Sequence, residues 1–163
     1  MIMHPKEKIV DSLPYLSMRC QEQRRLIEDP VVLTSGCFDL LHGGHLEYLI
    51  EASSKGFLVV GINSDPFVKR LKGASRPIRG QDDRVFTIAG FEVVDLAVIF
   101  DDDIELIKAV HPNIYVASST SHGRVWDDPS RLSVLREIGC VIFEISSKKE
   151  ESTTDMIRRA SGA

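Results

Sequence analysis

The sequence predicts an α/β domain with a Rossmann-like, doubly wound, parallel five-stranded sheet and helices on both of its faces. Five short, nearly continuous apolar runs have the length of buried strands, and amphipathic segments with helical spacing separate them. Such an alternation is typical of a parallel sheet covered on both faces. The chain has 163 residues, of which 43% are hydrophobic, which is enough to bury one core. We therefore expect one compact domain.

The first predicted element is an amphipathic helix over residues 5–29, in which apolar side chains recur at helical spacing until Pro30 ends the run. Residues 1–30 are accordingly predicted to form an N-terminal helical extension, and residues 31–163 the main part of the domain. The first strand is predicted at residues 31–34, where an apolar run leads into a turn that contains a glycine.

The rest of the chain continues the same alternation. Further strands are predicted at residues 57–63, 96–100, 113–117 and 140–145. Helices are predicted at residues 45–54, 65–71, 81–91, 103–110, 131–138 and 153–160. A basic, turn-rich loop occupies residues 72–77. No internal repeat or interdomain linker interrupts the pattern.

Charge and composition exclude several classes of function. A formal net charge of -4 argues against broad binding to nucleic acid or an anionic membrane, which needs clustered, uncompensated Lys and Arg. The three cysteines are far apart and form no CxxC pair, so neither a disulfide framework nor a structural zinc site is indicated. No apolar run approaches the length that spans a bilayer, and no signal peptide is recognisable. We expect a soluble, cytoplasmic protein.

The loop after the first strand, residues 35–45, is the predicted site. In a doubly wound sheet, ligands bind beyond the carboxyl ends of the strands, where the strand order reverses. The glycines of this loop allow the backbone to approach a polyphosphate, and a helix beginning near His45 would offer unpaired N–H groups to it. His42 and His45 can converge there and donate to phosphate oxygens in a pentavalent transition state. The loop therefore indicates phosphate chemistry.

A family resemblance follows from this loop. The segment Gly36-Cys37-Phe38-Asp39-x-x-His42-x-Gly44-His45 closely resembles the signature of the HxGH nucleotidyltransferase superfamily. Residues 63–65, 68–73, 75–77, 81–84 and 92–95 are similar to stretches of the adenylyltransferase domain of ADP-heptose synthase. Ser152-Thr153-Thr154 resembles the start of the last helix in heptose adenylyltransferases and in glycerol-3-phosphate cytidylyltransferases. The resemblance covers about residues 26–159.

This resemblance implies an enzyme that transfers a nucleoside monophosphate from a nucleoside triphosphate to a phosphorylated small molecule, with Mg²⁺ as cofactor. The expected catalytic residues are His42, His45, Lys69 and Lys72. The two lysines, one turn apart, would reach the β- and γ-phosphates, although a solvated basic helix face would also explain them. Homodimerisation, and fusion to a sugar kinase in a longer bifunctional protein, are expected from the same resemblance.

Further site residues are expected on both sides of the loop. The nucleotide-binding residues are expected to be Gly36, Cys37, Phe38, Gly44, Ser118, Ser119, Thr120, Ser152, Thr153 and Thr154. Helix capping alone would also explain the last three of them. The acceptor-binding residues are expected to be Asp39, Arg79 and Arg84. For Asp39, a role as a Mg²⁺ ligand and a turn-stabilising role both stay open. For Arg84, a bidentate phosphate contact and an ion pair with a neighbouring carboxylate such as Asp82 or Asp83 both stay open. Tyr48 is expected in the core or in an interface.

Residues 117–122 depart most from the resemblance. They read Ala-Ser-Ser-Thr-Ser-His, where the heptose adenylyltransferases have Lys-Gly-Gly-Asp-Tyr and the cytidylyltransferases have Gly-Asp-Asp-Trp. The choice of nucleotide therefore stays open. ATP with a heptose-like sugar 1-phosphate is favoured, ahead of CTP with glycerol 3-phosphate or another small phosphate or phosphonate. FAD synthesis is a third alternative, and a catalytically silent nucleotide-binding module is an alternative of another class.

Overall fold

Helices and strands alternate along residues 3–119 and 127–146, which are the residues that this computed structural model describes. The helices are α1 (Pro5–Lys8), α2 (Leu13–Leu26), α3 (Gly43–Ser53), α4 (Asp65–Lys72), α5 (Gln81–Ala89), α6 (Asp103–Val110) and α7 (Pro129–Glu137). The strands are β1 (Ile9–Val10), β2 (Val31–Gly36), β3 (Phe57–Asn63), β4 (Leu96–Phe100), β5 (Ile114–Ser118) and β6 (Val141–Ile145). None of the described helices is both long enough and apolar enough to cross a membrane.

One parallel sheet of six strands carries the fold, in the order β1-β4-β3-β2-β5-β6. The predicted Rossmann-like α/β class is confirmed. The predicted number of five strands was wrong, because β1 pairs with β4 at Ala97 and Val98 and adds an edge strand. β1 is two residues long, which is too short to show any periodicity in the sequence.

The segment predicted as one helix over residues 5–29 consists of two helices on either side of β1. α2 begins after Ser12 and has Pro14 in its first turn, where a missing backbone N–H breaks no helical hydrogen bond. Its buried residues Leu16 and Cys20 face the sheet. Nη2 of Arg24 donates to the carbonyl oxygen of Val110, 2.7 Å away, and so ties α2 to the end of α6.

Two apolar clusters cover the two faces of the sheet. One cluster joins the strands to α2, α6 and α7 through side chains that include Leu16, Leu106 and Leu135. The other joins them to α3 and α5 through side chains that include Leu49 and Ile88. The strands are buried from both sides, which is why they read as continuous apolar runs in the sequence.

The chain reverses its direction across the sheet between β2 and β5. From β2 it adds β3 and then β4 on one side, and it returns to place β5 and β6 on the other side. Pairing between β2 and β3 continues to Gly36 and Ile62, whereas pairing between β2 and β5 ends at Leu33 and Tyr115. The carboxyl ends of β2 and β5 therefore flank the switch point of the sheet, which is where doubly wound folds form a crevice for ligands. This place is called the crevice below.

Candidate active site

The loop between β2 and α3 has a tightly packed start. Phe38 has a positive φ of 46°, which is rare for a bulky residue, and its side chain is buried. A Cβ atom on Gly36 would lie 3.1 Å from Cε2 of Phe38. The absence of a side chain at Gly36 therefore leaves room for the phenyl ring. The ring in turn lies against the imidazole of His45, with 5.7 Å between the ring centroids. Phe38 therefore packs against the imidazole of His45.

His42 and His45 are brought together as the motif predicts, with 4.0 Å between their ring centroids. The backbone N–H of His42 donates to Nδ1 of His45 across 3.3 Å. Since Nδ1 accepts, the proton of a neutral His45 ring is assigned to Nε2. A Cβ atom on Gly44 would lie 3.1 Å from two atoms of the His42 ring, so the glycine leaves room for that ring.

The surroundings of His45 keep its ring neutral. Burial is the largest cause that lowers the pKa of His45 to about 4, and electrostatic effects of His42 and Lys72 contribute to the same shift. A neutral imidazole with hydrogen on Nε2 is a fixed hydrogen-bond donor rather than an acid that loses its proton. It stands in the first turn of α3, where unpaired N–H groups and the positive end of the helix dipole also favour an anion.

Lys69 and Lys72 lie in the last turn of α4, and both side chains are exposed. The positive charge of Lys72 contributes to the lowered pKa of His45. Within the described part of the chain, neither lysine takes part in an ion pair. Two positive charges that have no ion-pair partner among the described residues therefore lie on the side of the site that α4 forms.

Hydrogen bonds of the Asp39 side chain connect the loop after β2 to the loop before α5. Its Oδ1 accepts from the backbone N–H of Arg79 at 2.9 Å and of Ile78 at 3.0 Å, and its Oδ2 accepts from Nε of Arg76 at 2.8 Å. Burial by itself would raise the pKa of Asp39, but the N–H groups of Arg79 and Ile78 and the guanidinium of Arg76 hold that pKa below its usual value. The carboxylate is ionised and spans two loops.

This arrangement does not fit a direct bond from Asp39 to Mg²⁺. Both carboxylate oxygens already accept hydrogen bonds, and the residue is buried. Among the described residues, no group of three or more His, Cys, Asp or Glu side chains could hold a metal ion. Among the described residues, the hydrogen bonds given for the Asp39 carboxylate come from residues 76–79 and not from its own turn.

Arg84 lies beneath the loop and is fully buried, with 0% of its surface exposed. It donates to the carbonyl oxygens of Cys37, Asn63 and Arg79, and it forms an ion pair of 2.8 Å with Asp65. The alternative of an ion pair with a neighbouring carboxylate therefore applies to Asp65 and not to Asp82 or Asp83, because the latter two lie on the exposed side of α5 while Arg84 points inward. In this placement Arg84 has no accessible surface for an acceptor phosphate, and it holds the loop that carries Cys37.

Arg79 differs from Arg84 in being partly exposed. Its Nη2 donates to Oγ1 of Thr87 at 2.9 Å and lies 3.4 Å from the carbonyl oxygen of Asp83, so the side chain lies along α5. Its backbone N–H is held by Asp39. Of the three residues expected to bind the acceptor, Arg79 alone combines accessible surface with a position fixed by the loop.

The expected nucleotide-binding residues are only partly described by the structure. Ser118 ends β5, and the backbone N–H of Ser119 donates to the carbonyl oxygen of Ile145 at 3.1 Å. Both serines are half-buried at the carboxyl edge of the sheet, beside the crevice. Sγ of Cys37 lies 3.5 Å from Oδ1 of Asn63. Thr120, Ser152, Thr153 and Thr154 lie outside the described residues.

Sequence reasoning missed two pairs of hydroxyl groups at the crevice. The hydroxyl of Tyr48 lies 2.6 Å from that of Thr34, and the hydroxyl of Tyr115 lies 3.0 Å from that of Ser35. Tyr48 packs at the core, as expected, but its hydroxyl also bonds two strands. No local pattern in the sequence identifies these pairs, because the first depends on how α3 packs on β2 and the second on β5 lying next to β2.

Comparison with protein families matches residues 33–160, which is more than half of the chain, to the cytidylyltransferase-like family. The chain belongs to this family. The predicted resemblance to nucleotidyltransferases is thereby confirmed, and so is the assignment of the chain as a nucleotidyltransferase. The described fold carries the HxGH loop at the switch point of the sheet, which is the position expected for its nucleotide.

Curated relatives support the finer resemblance. The bifunctional protein HldE of Campylobacter concisus (strain 13826) is 41% identical over 136 residues, which cover 82% of this chain and 27% of that protein. The bifunctional protein HldE of Aliarcobacter butzleri (strain RM4018) is 43% identical over 132 residues, which cover 79% of this chain and 26% of that protein. The chain thus spans about a quarter of the length of these relatives.

Two solved structures share the fold. The lipopolysaccharide core biosynthesis protein from Thermoplasma volcanium GSS1 has a TM-score of 0.60 at 28% identity, covering 75% of this chain and 98% of that one. Pantoate-beta-alanine ligase from Francisella tularensis has a TM-score of 0.61 at 12% identity, covering 94% of this chain and 76% of that one. The second comparison concerns the fold alone.

Proposed function

We propose that this chain transfers a nucleoside monophosphate from a nucleoside triphosphate to a phosphorylated small molecule and releases pyrophosphate. The observation that carries the proposal is the neutral ring of His45, packed against His42 in the first turn of α3 and close to Lys72. Fixed donors and positive charges meet there at the switch point of a doubly wound sheet. Such a set of groups stabilises the charge that develops on a transferring phosphoryl group.

The reaction is an in-line displacement at the α-phosphorus. An oxygen of the acceptor phosphate forms the new bond to the α-phosphorus, while the bond from that phosphorus to the bridging oxygen of pyrophosphate breaks. His42 and His45 donate hydrogen bonds to the phosphoryl oxygens, and Lys69 and Lys72 neutralise the departing pyrophosphate. Arg79 binds the acceptor phosphate. The displacement needs no covalent bond to the protein.

We propose that Mg²⁺ binds together with the nucleoside triphosphate, because phosphate oxygens and water are the ligands that it prefers in such sites. It would lower the negative charge of the triphosphate. The hydrogen bonds that occupy both oxygens of Asp39 support a proposal in which that carboxylate makes no direct bond to the ion. No step assigned here to a side chain depends on the ion.

For the substrates we propose ATP and a heptose-like sugar 1-phosphate. The support is the resemblance of residues 63–77 to heptose adenylyltransferases, together with the identity of 41% to 43% with proteins called HldE. Since those relatives are called bifunctional, a working partnership with a second domain, such as a sugar kinase, is part of the proposal. A homodimer, a cytoplasmic location and a role in carbohydrate metabolism belong to it as well.

CTP with glycerol 3-phosphate, or with another small phosphate or phosphonate, is the second candidate. The observation that favours it lies at the end of β5, where Ala117, Ser118 and Ser119 supply neither the Lys nor the Asp of the heptose adenylyltransferases. Hydroxyl groups both donate and accept, and can therefore bond either base.

A pyrophosphate-release assay tests both candidates when four nucleoside triphosphates are crossed with a panel of sugar 1-phosphates, glycerol 3-phosphate and phosphonates. Release with ATP and a sugar 1-phosphate is the expected result. Release with CTP alone would move the assignment to the second candidate, and no release with any pair would favour the silent nucleotide-binding module.

Replacing His45 tests the proposed role of the loop. The variant His45→Ala should lose about 10²- to 10³-fold in turnover, the usual loss on removal of one preorganised donor. The matched control is His4→Asn, which changes an exposed histidine at the start of α1 and keeps a capping side chain there. Unchanged turnover in a folded His45→Ala variant would refute the proposed chemistry.

A further inference from the structure

The crevice at the switch point lies between two strands, β2 and β5, each of which is paired with another strand on its outer side. On the side of β3, β2 stays paired up to Gly36, and on the side of β6, β5 stays paired up to Ser118. Between them, the last paired residues are Leu33 and Tyr115. The carboxyl ends of β2 and β5 are each anchored to an outer neighbour but have no ladder of hydrogen bonds to each other beyond this pair.

Tyr48 bridges the two strands on the face of the sheet that α3 and α5 cover. Its hydroxyl donates to the carbonyl oxygen of Val116 at 2.9 Å. Because this bond uses the only phenolic hydrogen, the contact of 2.6 Å with Thr34 must be donated by the threonine. Tyr48 also stands three residues after His45, on the same side of α3. One phenol thus joins the helix of the catalytic histidine to both strands.

Tyr115 bridges the same strands on the opposite face. It belongs to the apolar cluster under α2, α6 and α7, and its hydroxyl lies 3.0 Å from Oγ of Ser35. Ser35 is two residues beyond Leu33, so the contact reaches diagonally past the last ladder pair. Burial raises the pKa of both phenols, and both therefore keep their hydrogen at neutral pH.

We infer that Tyr48 and Tyr115 are positioning residues that set the distance between the ends of β2 and β5, and hence the width of the gap that receives the nucleotide. This inference rests on the proposed function. It follows from the two hydroxyl bridges, which take the place of ladder hydrogen bonds on the two faces of the sheet. The acceptor side, which Asp39 and Arg79 form next to α5, lies on the far side of β2 from this gap.

Three tyrosine-to-phenylalanine variants test the inference, and the third tyrosine of the chain provides the control. Tyr48→Phe and Tyr115→Phe should each raise the KM for the nucleoside triphosphate by about three- to tenfold, the range expected for one lost hydrogen bond. The KM for the acceptor should stay within about twofold of its original value. Tyr15→Phe, at a site 41% exposed on α2, should change neither constant.

Several results would overturn the inference. One is a lower melting temperature of Tyr48→Phe and Tyr115→Phe with an unchanged KM for the nucleoside triphosphate, which would indicate a purely structural role. Another is an equal rise in the KM of both substrates, because the effect would then not be confined to the gap.

A direct binding titration with ATP and with CTP separates this inference from the proposed function. If the wild-type chain binds a nucleotide but releases no pyrophosphate, the proposed function fails. A rise of about three- to tenfold in Kd for Tyr48→Phe and Tyr115→Phe would then still support the inference. An unchanged Kd would overturn it, and so would a wild-type chain that binds neither nucleotide.

Discussion

The carboxylate of Asp39 and the guanidinium of Arg76 form an ion pair of 2.7 Å that is almost closed to solvent. With the backbone N–H groups of Ile78 and Arg79, this pair holds residues 76–79 against the loop after β2. The two loops that border the proposed acceptor site therefore keep one relative position. A single ionised carboxylate accounts for that position, which makes its replacement informative.

Asp39→Asn should lower kcat/KM for the acceptor by about 10- to 100-fold, because a charged hydrogen-bond acceptor contributes about 1.5–3 kcal/mol. The loss should be the same at low and at high Mg²⁺, since the carboxylate holds a loop rather than the ion. Pyrophosphate release measured across a Mg²⁺ titration checks this expectation. Recovery of activity at high Mg²⁺ would instead identify Asp39 as a metal ligand.

Arg84→Met should lower the free energy of unfolding by at least about 3 kcal/mol, because it leaves three carbonyl oxygens and the carboxylate of Asp65 without the donor of a fully buried side chain. The matched variant Arg79→Met should lower the free energy of unfolding by less than about 1 kcal/mol, since the guanidinium of Arg79 is partly exposed. It should, however, raise the KM for the acceptor. Urea unfolding and steady-state kinetics measure the two effects. Equal destabilisation by both variants would contradict the different placement of the two arginines.

The parts of the fold that depend on local periodicity could be predicted from the sequence. The strand over Phe57–Asn63 and the helix over Asp103–Val110 have continuous or periodic apolar residues, and both appear within a residue of the expected bounds. β1 could not be predicted in this way, because two residues have no period and their pairing with Ala97 and Val98 is a tertiary contact.

The same division applies to the site. The contact between His42 and His45 follows from a spacing of three residues at the start of a helix, so the motif is enough to predict it. The partners of Asp39 lie 37 to 40 residues away along the chain, and Arg84 reaches Cys37, 47 residues away, in loops whose meeting depends on the finished sheet. The hydroxyl bridge from Tyr48 likewise requires the strand order. Long-range hydrogen bonds are therefore the information that the sequence alone does not reveal.

Cys37 should be the cysteine most readily alkylated in the folded protein. Cys20 is fully buried, and burial raises the pKa of Cys20 and of Cys140 to about 11, which leaves little of the reactive thiolate. Iodoacetamide treatment followed by peptide mass spectrometry should therefore find Cys37 modified first. Bound ATP or CTP should slow this modification, because the thiol lies in the proposed nucleotide loop.

Two controls accompany the alkylation experiment. In the variant Cys37→Ser, the alkylation that bound nucleotide slows should disappear. In the same variant, the slow alkylation of Cys20, which requires unfolding, should be unchanged. If neither nucleotide alters the rate at Cys37, the nucleotide does not lie over this loop.

The pKa of His45 predicts a specific dependence on pH. Its folded value of about 4 lies below the ordinary 6.5, so between these two values the unfolded chain binds a proton that the folded chain does not. The contribution of His45 to stability is therefore complete above pH 6.5 and is lost as the pH falls towards 4. An NMR titration should show no change in the His45 ring near pH 6.5, with His45→Asn identifying its signal. A midpoint near 6.5 would contradict a buried, neutral ring.

Replacing Lys72 should raise the pKa of His45, because the ammonium group is one of the positive charges that disfavour a second charge on the ring. Lys69→Ala is the matched control: it removes the same kind of charge one turn earlier in α4, and we expect it to shift the pKa of His45 less than Lys72→Ala does. The NMR titration of both variants measures the two midpoints directly. Burial is the larger cause, so even Lys72→Ala should leave the midpoint below 6.5. Equal shifts in both variants would mean that the two lysines lie equally close to the histidine pair, and Lys72 would then have no special position beside the transferring phosphate.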